Sequence, residues 1–158
     1  MAPPDSNDST PSEPGRPDWE ELTDLLYHIR VILRDALYTE PPALSSDLRD
    51  HFKSAWPDVD RAFEVVRKAI EKDGPNELLT AAGLTGKSLT LKALGLRRAF
   101  GKLTRGTSQG HRKRLVQFLG WGGTIVGSLS RAIPGAEVIK EFIECVRNDL
   151  FESETERP

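Results

Sequence analysis

Between Leu78 and Ala136 the chain has no aspartate and no glutamate, although it places ten lysines and arginines there. Other absences narrow the chemistry. A single cysteine, Cys145, excludes an internal disulfide and any cysteine-based zinc cage. The three histidines, His28, His51 and His111, show no H-x-x-x-H or H-E-x-x-H spacing, so each reads as a surface or cap residue and no metal is expected. No β-branched run alternates as a strand would, and no βαβ unit can be drawn. The uncharged run Leu115–Ser130 would reach about 24 Å as a helix, short of the roughly 30 Å hydrocarbon layer of a bilayer. The N-terminus lacks the basic and apolar regions of a signal peptide, so a cytoplasmic location is expected, at most peripheral to a membrane.

The charge that is present is segregated. Residues 1–77 carry nine basic and seventeen acidic side chains, a net of −8, and residues 137–158 carry three and seven, a net of −4. The overall charge of −2 therefore conceals a block of +10 between two negative ones. Like charges crowded on one segment repel unless an anion neutralises them, and that anion is either the protein's own flanks or a partner.

At 158 residues and 37% hydrophobic content the chain fits one domain with a real core. Residues 1–16 are nearly all Pro, Ser, Asp, Gly and Glu and cannot bury enough surface to offset ordering entropy. The expected organisation is a disordered tail over 1–16, a helical domain over 17–152 and a second disordered tail over 153–158. The fold class is all-α, a compact bundle of about five to seven helices.

Periodicity places the elements. Asp18 and Glu21 make a D-x-x-E start, and Leu22, Leu25, Leu26, Ile29, Ile32, Leu33, Ala36 and Leu37 recur at steps of three and four, giving a helix that ends before Pro41–Pro42. A short helix with Leu48 and Phe52 inward is expected from Ser46 to Trp56, broken by Pro57. The next, with Val59, Phe63, Val66 and Ile70 inward, stops at Gly74–Pro75. Asn76–Ala82 reads as a brief helix closed by Gly83. A helix over about 85–103 has Leu89, Ala93, Leu96, Phe100 and Leu103 inward, and Leu91 and Leu94 on a flank. After a turn at 105–110 come helices over about 111–132 and 134–151, the last with Val138, Phe142, Cys145, Val146 and Leu150 inward.

Two features of residues 85–132 point to binding. At 100° per residue Lys87, Arg98, Lys102 and Arg105 fall within about 60° of one another, and Arg112, Lys113 and Arg114 follow the turn. Such a face suits an anionic lipid surface, an acidic protein or nucleic acid phosphates. It also fits a merely solvated face, neutralised by acids of the first and third helices. Against nucleic acid, Phe100 and Phe118 sit at core spacing, whereas stacking needs exposed rings. The second feature is a small-residue stripe, Val116, Gly120, Gly123, Gly127 and Ser130. With Gly122 the helix holds four glycines, which cost about 3–4 kcal/mol of propensity that close approach of another backbone would offset, either inside this protein or at an interface. Trp121 lies beside the stripe, as a core residue or a membrane-surface anchor.

The function expected from these residues is a non-enzymatic interaction module. It would dock on a protein partner or an anionic membrane through Lys87, Arg98, Lys102, Arg105, Arg112, Lys113, Arg114, Gly120, Trp121, Gly123 and Gly127, with the acidic helices masking the face until binding. The alternative is a small nucleic-acid-binding bundle. A remote third reading takes Ala81–Ser88, AAGLTGKS, as a loose phosphate loop ending in Gly86, Lys87 and Ser88. It lacks the preceding strand and any magnesium-holding aspartate, so no cofactor is expected. No catalytic constellation is found: Glu20–Glu21 and Asp58/Asp60 open helices, where acids complement the helix dipole.

Overall fold

The computed structural model describes residues 18–38, 46–72, 75–106 and 110–156, so the expected N-terminal tail and the Pro41–Pro42 break lie outside the described residues. Six helices follow one another: α1 (Asp18–Tyr38), α2 (Ser46–Lys72), α3 (Pro75–Ala82), α4 (Gly86–Arg105), α5 (His111–Leu129) and α6 (Ala136–Glu156). No strand occurs among the described residues. The chain is the all-α bundle its periodicity requires.

α1 begins with three acids, Asp18, Glu20 and Glu21, where the helix dipole favours negative charge. Every apolar position read from its sequence is buried, with Leu22, Leu25, Ile29, Leu33 and Leu37 fully so.

α2 corrects the sequence expectation. It is one continuous helix with Pro57 inside it, not two helices parted there. An interior proline costs about 3 kcal/mol because it lacks an N–H and crowds the preceding turn. Here the inward residues on both sides of it, Phe52, Trp56, Val59, Phe63, Val66 and Ile70, lie on a single buried stripe. Phe52 and Trp56 both pack on Phe142 of α6, at ring separations of 5.6 and 6.0 Å. Burial of several large side chains at roughly 1.5–3 kcal/mol each outweighs the proline. Pro57 itself is exposed, on the side where water can reach the carbonyl left without a donor.

α3 ends as read. Gly83 takes the left-handed conformation, its N–H donates to the Thr80 carbonyl, and the Leu84 N–H donates to that of Leu79. This paired closure, with Leu79 and Leu84 both buried, sets the direction from which α4 starts.

α5 is the central element and packs most extensively on α6 and α4. Leu115, Phe118, Leu119, Ile125, Val126 and Leu129 enter the core. α6 presents Ile139, Phe142, Ile143, Val146 and Leu150 inward. Val138 and Cys145, expected inward, are exposed instead. The true stripe starts one residue later, on Ile139, and its steps of three and four carry it through Ile143. The backbone of α6 continues to Glu156, past the expected end near 151, through a glutamate-rich stretch that favours helix. No described helix is long and apolar enough to cross a membrane.

Candidate functional site

The glycine stripe proves to be the seam between α5 and α6. A β carbon on Gly120 would meet Arg147 Nε at 3.5 Å, one on Gly123 would meet Ile143 Cγ2 at 3.6 Å, and one on Gly127 would meet Lys140 Cε at 3.5 Å. The steps of three and four along α5 run against steps of four and three along α6, which is antiparallel register. Gly123 and Gly127 therefore face this protein's own last helix, and the expectation that they contact a partner is corrected. The expected backbone-to-backbone approach is corrected too, because side chains of α6 fill the stripe and a methyl group would reach ordinary contact. A fourth glycine, Gly122, faces α1, where its β carbon would lie 3.4 Å from Ile29.

Trp121 is both packed and accessible. Its indole stands on Gly95 of α4, where an added β carbon would lie 2.6 Å from two ring carbons. Yet the side chain keeps 40% of its exposure. Only glycine lets the ring lie this close, so Gly95 belongs to the site although its spacing gave no hint of it.

Beside that contact runs a groove of about 590 Å³ between α4 and α5. Its floor is made of small or partly buried residues, Gly95, Ala99, Val116 and Gly120, with Gln117 and Thr124 along it. Three cations rim it: Arg98 and Lys102 from α4, and Arg147 from α6. Among the described residues no carboxylate lines it. Arg147 comes from the acidic C-terminal stretch, and only the α5–α6 seam places it next to the basic block.

The remaining basic residues divide. Lys87, Arg105 and Lys113 are exposed, but Lys87 sits in the first turn of α4, about 27 Å along the axis from Arg105 at 1.5 Å per residue. The projection that grouped them ignores that length. Arg112 and Arg114 are half-buried, and Arg114 lies across Gly106 and Gly110 at the turn into α5, where it braces the chain. Leu91 and Leu94 are exposed on the same outward stripe of α4 as Arg98, Lys102 and Arg105.

Internal neutralisation is selective. Arg97, next to Arg98 in sequence, turns inward and pairs with Glu21 at 3.0 Å and Asp24 at 3.4 Å. Arg30 pairs with Asp60 and Glu64, and Arg67 with Glu64 and Glu71. These bonds from Arg67 and Arg30 hold the Glu64 carboxyl well down, at about 2. The acids of α1 and α2 that form these pairs are thus engaged with Arg30, Arg67 and Arg97, not laid over the groove. Among the described residues Lys87, Arg98, Lys102, Arg105, Lys113 and Arg147 make no ion pair.

Two other readings of the sequence find less support in the geometry. The Gly86–Lys87–Ser88 segment follows a helix, and the Ser88 hydroxyl donates to the Gly83 carbonyl at 2.8 Å. The α4 N-terminus already faces a carboxylate, the Gly86 N–H donating to Asp18 Oδ2 at 3.4 Å, where a phosphate would have to sit. For nucleic acid, Phe118 is fully buried and Phe100 packs on it and on His28, at 6.1 and 4.6 Å. Phe118 thus offers no face to a base, and Phe100 is partly buried among its neighbours. Among the described residues no group of three His, Cys, Asp or Glu could hold a metal ion. No protein family, curated protein or solved structure matches the chain.

Proposed function

We propose that this protein is a non-enzymatic docking module whose α4–α5 face, with Trp121 at its edge, receives an anionic counterpart, either an acidic protein or an anionic membrane surface. One observation carries the reading. Arg98, Lys102 and Arg147 converge on a groove that no carboxylate lines among the described residues, while Arg30, Arg67 and Arg97 are all paired. Unneutralised charge gathered at one place raises self-repulsion and local potential, and its use is to attract and orient an opposite charge. Trp121 adds a half-exposed aromatic, the residue type that most often anchors an interface. In this reading the protein works in the cytoplasm, on a partner or at a membrane surface.

Two probes test it, poly-L-glutamate and vesicles with and without an anionic lipid, each titrated with sodium chloride. Binding of at least one probe, weakened by salt and lost in Arg98→Glu/Lys102→Glu, supports the reading. Indifference of the wild-type protein to both probes overturns it.

A further inference from the structure

We infer that the occupant of the groove is an acidic amphipathic helix of a protein partner, an inference that rests on the docking reading above. Three features of the groove select it over a bilayer.

The first is shape. A bilayer surface meets the crest of a protein and leaves a groove between helices unfilled. Here the three cations meet over the groove, Arg98 and Lys102 reaching it from the outward stripe of α4 and Arg147 from α6. Arg98 and Lys102 stand on one wall and Arg147 on the other, over a floor of Gly95, Ala99, Val116 and Gly120. Small residues between two packed helices leave the channel into which the ridge of a third helix fits.

The second is register. Arg98 and Lys102 are four residues apart on α4, so their side chains are one turn, about 6 Å, apart. A helix lying along α4 offers carboxylates at that same interval when its glutamates are also four apart. Its next row of acids then faces Arg147 on the far wall. A lipid headgroup array has no such fixed interval.

The third is the apolar component. Trp121 is held against Gly95 and cannot swing away to insert into a membrane without giving up that contact. Its exposed edge instead closes one side of the floor, where it can cover an aliphatic side chain of the incoming helix. Charge on both walls and an apolar floor match an amphipathic helix with a leucine between two acidic rows.

The probe is a synthetic helical peptide of about eighteen residues, roughly 27 Å long, with glutamates four apart and leucine on the face between them. Companion peptides replace glutamate by glutamine, or leucine by alanine. The full chain is titrated with each peptide and with anionic vesicles, following Trp121 emission, assigned by subtracting the Trp121→Phe variant. The acidic peptide should bind, and either replacement should weaken it about tenfold or more. Arg147→Glu and Gly120→Leu, which plugs the floor and removes no cation, should weaken it to a similar degree. Thr124→Trp, at an exposed position on the groove, is a second plug should Gly120→Leu disturb the α5–α6 seam, which circular dichroism would reveal. Vesicle binding without peptide binding, or peptide binding untouched by Arg147→Glu and by both plugs, overturns the helix and leaves the docking reading standing. Binding of no anionic probe at all removes both.

Discussion

The indole of Trp121 lies directly on the α carbon of Gly95, so close that a methyl group there would stand 2.6 Å from two ring carbons and 2.7 Å from a third. Contact this short admits no side chain. α4 and α5 can be this near only while position 95 stays a glycine or position 121 gives up its ring. The consequence is a reversal of sign. Gly95→Ala should destabilise the wild-type protein by about 1–3 kcal/mol, the usual cost of overpacking. In a Trp121→Ala background the same change should stabilise by up to about 1 kcal/mol, since alanine is the better helix former. Urea denaturation of the four proteins measures both. Equal effects of Gly95→Ala in the two backgrounds would show that the ring does not depend on that glycine.

Adjacent arginines should behave as opposites. Arg97 satisfies Glu21, whose carboxylate is buried to 6% exposure, whereas Arg98 projects over the groove without an ion pair among the described residues. Arg97→Ala weakens the bonding of a buried acid and should cost about 1–3 kcal/mol. Arg98→Ala should change stability by no more than about 0.5 kcal/mol while lowering affinity for poly-L-glutamate. Thermal melts and binding titrations of the two variants check the split. A stability loss on Arg98→Ala as large as on Arg97→Ala would place both arginines in the fold.

These pairs show where the sequence is readable. The burial of α1 follows from the spacing of Leu22 to Leu37 alone, because a helix with one apolar face has only one way to bury it. The continuity of α2 does not follow. Pro57 signals a break locally, whereas burial on both sides of it, Phe52 and Trp56 before and Val59, Phe63, Val66 and Ile70 after, with Trp56 packed on Phe63 across it, keeps the helix in line. In α6 the apolar residues offer two overlapping phases, one through Val138 and Cys145 and one through Ile139 and Ile143. The α5 seam, where Ile143 meets Gly123, goes with the second. Arg98, Lys102 and Trp121 are legible as candidate site residues, because a helical projection groups the two cations and Trp121 stands beside the small-residue stripe in sequence. Arg147 and Gly95 are not, since each acquires its place from a residue on another helix. Gly95 shares the interior of α4 with a second glycine, Gly101, so glycine content alone does not single out position 95.

Acid should probe the α1–α2 ion-pair network. The Glu64 carboxyl titrates at about 2, below its ordinary 4.5, because Arg67 at 2.9 Å and Arg30 at 2.6 Å donate to it. A folded-state value below the unfolded one means the stabilisation is complete above about pH 4.5 and disappears as pH falls toward 2. The group is partly exposed, so its share is modest. Glu64→Gln should lower the urea midpoint at pH 7 and leave a shallower decline between pH 4.5 and 2 than in the wild type. Parallel decline in both proteins over that window would show that Glu64 contributes nothing to acid stability.

The α5–α6 seam allows a test that separates glycine as a steric necessity from glycine as a local cost. β carbons at Gly123 and Gly127 would sit 3.6 and 3.5 Å from Ile143 and Lys140, which is ordinary contact. Neither residue lies in the left-handed region, so alanine meets no backbone strain. Gly123→Ala and Gly127→Ala should therefore each stabilise by up to about 1 kcal/mol, through the lower backbone entropy of the unfolded chain. Larger side chains must push α6 away. Gly123→Leu should cost about 1–3 kcal/mol, because Ile143 is fully buried at that contact. Because Arg147 is carried on the same seam, Gly123→Leu should also weaken peptide binding in the groove, whereas Gly123→Ala should leave it intact. Denaturation and binding measured on the three variants decide the matter. Destabilisation by both alanines would mean that α6 lies nearer to α5 than these separations allow.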